Sequence, residues 1–269
     1  MFAIAFPNID PVIFHVGSFA VRWYAVAYIL GLFGGMIYMR WLVTYPPANV
    51  TRTQVDDFFL WALIGVILGG RLGYVLFYKP SYYLSHLSEV YRTWEGGMTF
   101  HGGLLGVTLA IILYARHAKI NMWSLADGVG CAAPIGLGLG RLANFINGEL
   151  WGRASDVPWA MVFPTGGPVP RHPSQLYQAA LEGVVLFVVM HLLWRNERVR
   201  AHPGTLTGAF WIGYGVFRIV GETFREPDEF LGFLIGGATM GQLLSIPMIL
   251  FGVFSIWRAR RAPAAVSTV

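Results

Sequence analysis

Residues 134–153, PIGLGLGRLANFINGELWGR, carry Arg141, Asn144, Asn147 and Glu149 at the end of an apolar, glycine-rich stretch that begins near Asp127. The stretch reads as one membrane helix. An arginine in hydrocarbon costs about 2.5–3.5 kcal/mol even on the gentlest insertion scale. Such a group persists where it meets a partner, a water-filled cavity or an anionic ligand. A lone arginine would read as an Arg–carboxylate pair that locks two helices together. Here the polar groups are clustered, and similar groups recur in other apolar segments: Tyr24 after Arg22 and Trp23, Arg71 in GGRLGYVLFY, His101 in WEGGMTFHGGLLG, and Arg218 with Glu222 in YGVFRIVGETFREPD, where Arg225 follows. Each has a plain reading by itself. Tyr24 suits an interfacial anchor, Arg71 a snorkelling side chain, His101 a backbone contact, and Arg218/Glu222 an i, i+4 helix pair.

The segments that hold these residues define the class. Over 269 residues the hydrophobic fraction is 55% and the charged fraction only 12%, with a mean hydropathy of +0.55. A soluble domain does not need so much apolar surface. Apolar stretches of roughly 20 residues, enough to cross a bilayer, lie near 18–41, 55–77, 98–116, 124–146, 175–194, 205–223 and 237–257. The chain thus reads as an all-α polytopic membrane protein, one transmembrane domain over residues 1–269. The start, MFAIAFPNID, lacks a basic leader, so no cleaved signal peptide is expected. Connecting segments on one side hold Arg40, Arg52, Arg116, Lys119, Arg195, Arg198, Arg200, Arg258, Arg260 and Arg261. Those on the other side hold Lys79, Arg92, Arg153, Arg171 and Arg225. Short basic loops face the cytoplasm, so the N-terminus is expected outside and the C-terminus inside.

With this topology Tyr24, Arg71, His101, Arg141, Asn144, Arg218 and Glu222 all fall in the outer halves of their spans. Five helices then supply polar groups at a similar depth, and such groups should face the bundle interior. Converging arginines need an anion. The abundant anion at that depth is a phospholipid phosphate, which arginine binds through paired hydrogen bonds. The outer loops 78–97, 148–174 and 224–236 are long, and the last carries the acidic run Glu226, Asp228, Glu229. That asymmetry puts the working face outside. The pairs Gly31/Gly35, Gly69/Gly73 and Gly136/Gly140 have the spacing of close helix packing. The single cysteine, Cys131, sits among Ala and Gly and reads as a packing residue. The net charge of +5 is placed in loops and points to orientation, not to nucleic acid. No set of residues has convincing metal-ligand spacing.

The same residues carry a resemblance. RWYAVAY, GGRLGYVLFY, GGMTFHGGLLG, PIGLGLGRLANFINGELWGR, RHPSQLYQ and FREPD…GQLLSIPM together resemble the bacterial prolipoprotein diacylglyceryl transferases, over nearly the whole chain. The block from Arg141 to Gly152 is the most specific part. The resemblance implies a seven-span enzyme of the bacterial inner membrane with a periplasmic loop region, working at the periplasmic face without a cofactor. It implies transfer of a diacylglyceryl group from phosphatidylglycerol to the lipobox cysteine of a prolipoprotein signal peptide, with release of glycerol phosphate.

That reaction joins a thiol to an sp³ carbon and expels a phosphate. A free thiol titrates near 8.5 and must lose its proton to attack well. His101 is the general base by type, since an imidazole titrates near 6.5; Glu149 or Glu222 could take the proton instead, or orient an arginine. Arg141 and Arg218 suit the charge that grows on the leaving phosphate. Tyr24 and Asn144 could hydrogen-bond phosphate or glycerol, and Gly152 allows close backbone approach. Arg71 and Arg225 complete the expected substrate contacts. Among rivals, an anion transporter should have a polar path reaching the inner face, and the inner halves look apolar. A CDP-alcohol phosphotransferase is resembled only at Asp127-Gly128, without its downstream aspartates. No GxSxG-like motif supports an intramembrane serine protease.

Overall fold

The structure is a computed structural model that describes residues 4–7, 9–17, 19–47, 49–227 and 232–264. Asp228 and Glu229 of the acidic run lie outside the described residues. Among the described residues are seven helices of 18 residues or more: α1 (Trp23–Leu42), α2 (Arg52–Phe77), α3 (Phe100–His117), α4 (Met122–Ile146), α5 (Ser174–Arg195), α6 (Thr205–Phe224) and α7 (Met240–Arg261). Five of them, α1, α2, α4, α5 and α7, are long and apolar enough to cross a membrane. The protein is therefore a predominantly helical, multi-pass membrane protein. Large apolar side chains such as Ile37, Leu68, Leu105 and Leu250 stay exposed on the helix surfaces, as lipid-facing positions should.

The last expected span, 237–257, is displaced to Met240–Arg261. The first, 18–41, begins later as a helix, since residues 19–22 are not helical. Instead β3 (Phe19–Arg22) pairs antiparallel with β2 (Val12–Val16). Both segments are rich in β-branched and aromatic residues, which favour a pleated strand over a helix start. A second small sheet pairs β1 (Ile4–Ala5) in parallel with β4 (Met161–Val162).

The chain forms two compact units, Met1–Met39 with Asp127–Val266, and Arg40–Ala126. In the second unit α2 and α3 lie backbone to backbone. A Cβ at Gly65 would come within 2.6 Å of the Gly106 carbonyl oxygen, and one at Gly73 within 2.8 Å of Gly102 Cα. Thr99 caps α3 and Thr51 begins α2 with a reciprocal cap to Gln54. In the first unit Gly31 of α1 meets Gly136 of α4, and Gly138 of α4 meets Gly183 of α5. Of the glycines expected in helix contacts, Gly136 and Gly140 have no neighbour within 4 Å of where their own Cβ would stand, although Gly136 receives the close approach of Gly31. Cys131 is fully buried in α4.

Asp127, near the start of α4, has a structural task. Its carboxylate accepts from the Gly204 amide at 2.8 Å, and from the Thr207 amide and hydroxyl at 2.6 Å each. It thereby caps α6 from a neighbouring helix, which satisfies amides that have no partner within α6. We predict that Asp127→Ala lowers the stability of the detergent-solubilised protein by about 1–3 kcal/mol, the cost of leaving such buried donors unmet. Thermal unfolding with and without the substitution checks it; an unchanged melting curve would remove the capping role.

Candidate active site

Arg141 stands four-fifths of the way along α4. Its Nε and Nη2 each lie 3.0 Å from Oε2 of Glu182. Glu182 is fully buried and belongs to α5, on a segment, Ala179–Val185, wound as a π-helix. The wider turn sits where Gly183 packs on Gly138, so α5 comes close to α4 and aims Glu182 at Arg141. Single π-turns of this kind recur at functional sites. The other carboxylate oxygen, Oε1, lies 3.7 Å from Nη1 of Arg218 on α6. Arg218 also pairs through Nη2 with Oε1 of Glu222 at 2.8 Å. Arg225 reaches the same oxygen at 3.1 Å, and Thr239, which caps α7, donates to Oε2 of Glu222 at 2.6 Å. Arg141, Glu182, Arg218, Glu222 and Arg225 thus form one unbroken chain of alternating charge across α4, α5 and the end of α6. Three arginines against two glutamates leave one net positive charge.

Arg218 Nη1 faces Glu182 Oε1 as an ion pair beyond hydrogen-bond reach. Arg218 Nη1 is buried and has no hydrogen-bond partner among the described residues. It is a desolvated guanidinium N–H held in place by its neighbours, which suits an incoming anionic oxygen.

One turn beyond Arg141 on the same face of α4, Asn144 donates to Oε1 of Glu149 at 2.8 Å, and Asn147 reaches the same atom at 3.3 Å. Gln175, at the start of α5, donates to the Glu149 carbonyl at 2.7 Å. The loop then runs back along α6. The Gly152 amide donates to the His172 carbonyl, and the Arg153 amide to that of Phe224. Arg153 also reaches the carbonyls of Arg225 and Glu222 through its guanidinium. A Cβ at Gly152 would stand 2.6 Å from His172 Cβ and from two carbonyl oxygens, so only glycine fits this crossing. His172, in the loop, hydrogen-bonds Tyr177, and burial lowers its pKa below that of a free imidazole.

Of the residues expected from sequence, Arg141, Asn144, Glu149, Gly152, Arg218, Glu222 and Arg225 come together in this one region. Tyr24 lies on the first turn of α1 in the same unit, part-exposed, its ring against Tyr28. His101 and Arg71 belong to the other unit. His101 is the second residue of α3, exposed, with its ring edge-on to Phe100. Arg71 is buried and donates to the carbonyls of Glu89, Val90, Gly96 and Gly97 at 2.5–3.4 Å. These bonds engage Nε and both terminal nitrogens, so Arg71 braces the loop 78–97. The sequence reading missed Glu182, Gln175 and Gln178. Glu182 lies inside an otherwise ordinary apolar run, and its π-turn has no sequence signature.

Comparison with known proteins agrees with the geometry. The sequence model of a family described as prolipoprotein diacylglyceryl transferase matches residues 11–258. The phosphatidylglycerol–prolipoprotein diacylglyceryl transferase of Paramagnetospirillum magneticum is 57% identical to this chain over 266 residues, covering 98% of the chain and 99% of its own length. Proteins of the same description from Rhodospirillum rubrum and Brucella anthropi are 55% and 54% identical, again over nearly the full length of both chains.

Removing the Glu182 carboxylate leaves Arg141 without its partner in a desolvated setting. We predict that Glu182→Ala cuts turnover by more than about tenfold and that Glu182→Gln, which keeps one acceptor oxygen, loses less, since unpaired buried charge is the costlier defect. Steady-state rates on the two purified variants test this; wild-type turnover in Glu182→Ala would show that Arg141 needs no partner.

Proposed function

Because the chain belongs to the prolipoprotein diacylglyceryl transferase family, we propose that its arginine–carboxylate chain is the place where the phospholipid phosphate is held during transfer. The enzyme moves a diacylglyceryl group from phosphatidylglycerol to a prolipoprotein, the first step of lipoprotein maturation. The observation that carries the assignment of the site is the buried Arg218 Nη1, which shares Glu182 with Arg141 and makes no hydrogen bond among the described residues. A phosphodiester brings one negative charge.

The acceptor is the thiol of the lipobox cysteine. Its sulfur attacks the glycerol carbon that bears the phosphate; an S–C bond forms, a C–O bond breaks, and glycerol phosphate departs. The thiol proton passes to a base. The leaving phosphate gains negative charge as the C–O bond lengthens, and Arg141 and Arg218 stabilise that gain. These guanidiniums are already desolvated and oriented, so little reorganisation accompanies the reaction. Glu222 and Glu182 hold the arginines at the correct spacing. Asn144 and Tyr24 contact phosphate or glycerol, and the Gly152 crossing ties the outer loop to the end of α6. His101 is the base we favour, with Glu149 the alternative.

We place the site towards the periplasmic face of the bacterial inner membrane. In this reading α3 and α6 also span, giving seven spans in a single transmembrane enzyme domain, with the N-terminus outside and the C-terminus inside. The basic residues at the end of α7, Arg258, Arg260 and Arg261, support that orientation.

Four substitutions test the assignment. Arg141→Ala should abolish transfer in a folded, inserted protein, and Arg141→Lys should stay poor because lysine lacks the planar fork; normal thioether formation with phosphatidylglycerol and an acceptor peptide would end the phosphate-clamp role. His101→Gln should lower turnover by more than about tenfold, as loss of a general base commonly does. Near-wild-type rates for His101→Gln from about pH 6 to 8.5, a range that brackets an imidazole, would pass the role to Glu149. Cys131→Ser should remain active, since the substrate brings the thiol; complete loss in a stable protein would point to an enzyme-bound covalent intermediate.

A further inference from the structure

Two glutamines next to the charged chain have no part in the chemistry above. Gln175 and Gln178 are spaced i, i+3 at the start of α5, one turn apart on one face of the helix, just before the π-turn that carries Glu182. All three are fully buried. Gln175 donates its amide to the Glu149 carbonyl, and its own Oε1 has no partner among the described residues. Among the described residues Gln178 finds a hydrogen-bond partner for neither Nε2 nor Oε1. A buried amide with both ends unmet costs about 1–3 kcal/mol per group, and a leucine of similar size would avoid that cost.

The amide of Gln178 has been given room beside the arginines. It lies against Gly221, the residue before Glu222 on α6. A Cβ there would stand 3.0 Å from Gln178 Cγ and 3.4 Å from Nε2. The unmet atoms therefore lie between the Glu149 loop on one side and the Arg218–Glu222 turn on the other. Together they offer the N–H donors of one amide and two carbonyl acceptors.

We propose that Gln178, with Oε1 of Gln175, is the part of the site that reads the hydroxyl-bearing headgroup of the phospholipid. This rests on the phosphate-holding role given to the arginines above. A vicinal diol beyond the phosphate presents two hydroxyls, each of which donates and accepts, and so complements this set. The electrostatics select in the same direction. A headgroup ending in an ammonium would carry positive charge towards Arg141 and Arg218, whereas a neutral diol carries none. Gln178 is thus a specificity-determining residue that contacts the part of the lipid that leaves.

The test compares two lipids of equal charge, phosphatidylglycerol and phosphatidylpropanol, which lacks the hydroxyls, with a prolipoprotein-derived acceptor peptide and purified full-length enzyme. Wild type should prefer phosphatidylglycerol by at least about tenfold in kcat/KM, the scale at which buried polar groups left unpaired discriminate. Gln178→Leu should bring the two lipids to within about twofold of each other by losing rate on phosphatidylglycerol alone, and its melting temperature without lipid should not fall. Gly221→Ala, which crowds the amide without removing it, should narrow the preference in the same sense. The proposal is overturned if wild type uses both lipids equally, or if Gln178→Leu slows both by the same factor or keeps the wild-type preference. Normal transfer from phosphatidylglycerol by Arg141→Ala would instead overturn the phosphate-site reading on which the proposal rests.

Discussion

Three guanidiniums inside an apolar helix bundle must be neutralised, and much of the first unit is arranged to do it. Arg141, Arg218 and Arg225 cannot share a desolvated space without Glu182 and Glu222 between them. That requirement fixes which helices must touch. Glu182 reaches both Arg141 and Arg218 only if α5 approaches α4 closely, and the approach is made at Gly138 and Gly183. It also needs the extra residue of a π-turn to rotate Glu182 inward. Thr239 then joins the start of α7 to the same set through Glu222. Four segments of chain are tied by one sequence of ion pairs.

The two ends of α6 are secured by different means. At its N-terminus the buried Asp127 carboxylate supplies the cap that Gly204 cannot supply from a side chain. At its C-terminus the strand-like contacts of Gly152 and Arg153 with Phe224 and Arg225 take up backbone groups beyond the last turn. Arg218 and Glu222 therefore sit on a helix held at both ends. This matters for catalysis because a misplacement of about 1 Å in a positioning group can cost a hundredfold in rate.

Much of this was legible in the sequence, for a physical reason: lipid makes polar residues conspicuous. The segments that became α2 to α7 followed from apolar length, and Arg141, Arg218 and Glu222 stood out as charges at matching depth. The i, i+4 pairing of Arg218 with Glu222 could be read from spacing alone. Glu182 could not, because its importance lies in a π-turn and in the facing helix, neither of which is written locally. Arg71 illustrates the opposite limit. Depth marked it as a site residue, yet the coiling of loop 78–97 delivers four carbonyls to it, and loop paths are poorly encoded in composition. The start of α1 was overrun because the alternating apolar pattern of Phe19–Arg22 fits a strand as well as a span.

The pairing that stabilises the arginines also limits how they can serve the reaction. A guanidinium locked by two short bonds to carboxylates has little left to give a phosphate, while one left unpaired would destabilise the bundle. The distances fall between these extremes. Arg141 holds Glu182 at 3.0 Å, but Arg218 holds the same carboxylate only at 3.7 Å and keeps Nη1 unbonded. Arg218 is anchored on the other side by Glu222 at 2.8 Å, so its free N–H is fixed in direction. On the proposed reading, a phosphate oxygen arriving there would strengthen an existing arrangement and need not break one. As charge moved onto that oxygen in the transition state, the Arg218–Glu182 contact would lengthen at small cost, and the interaction would shift to the group whose charge is growing. Stabilisation that increases along the reaction coordinate is what lowers a barrier.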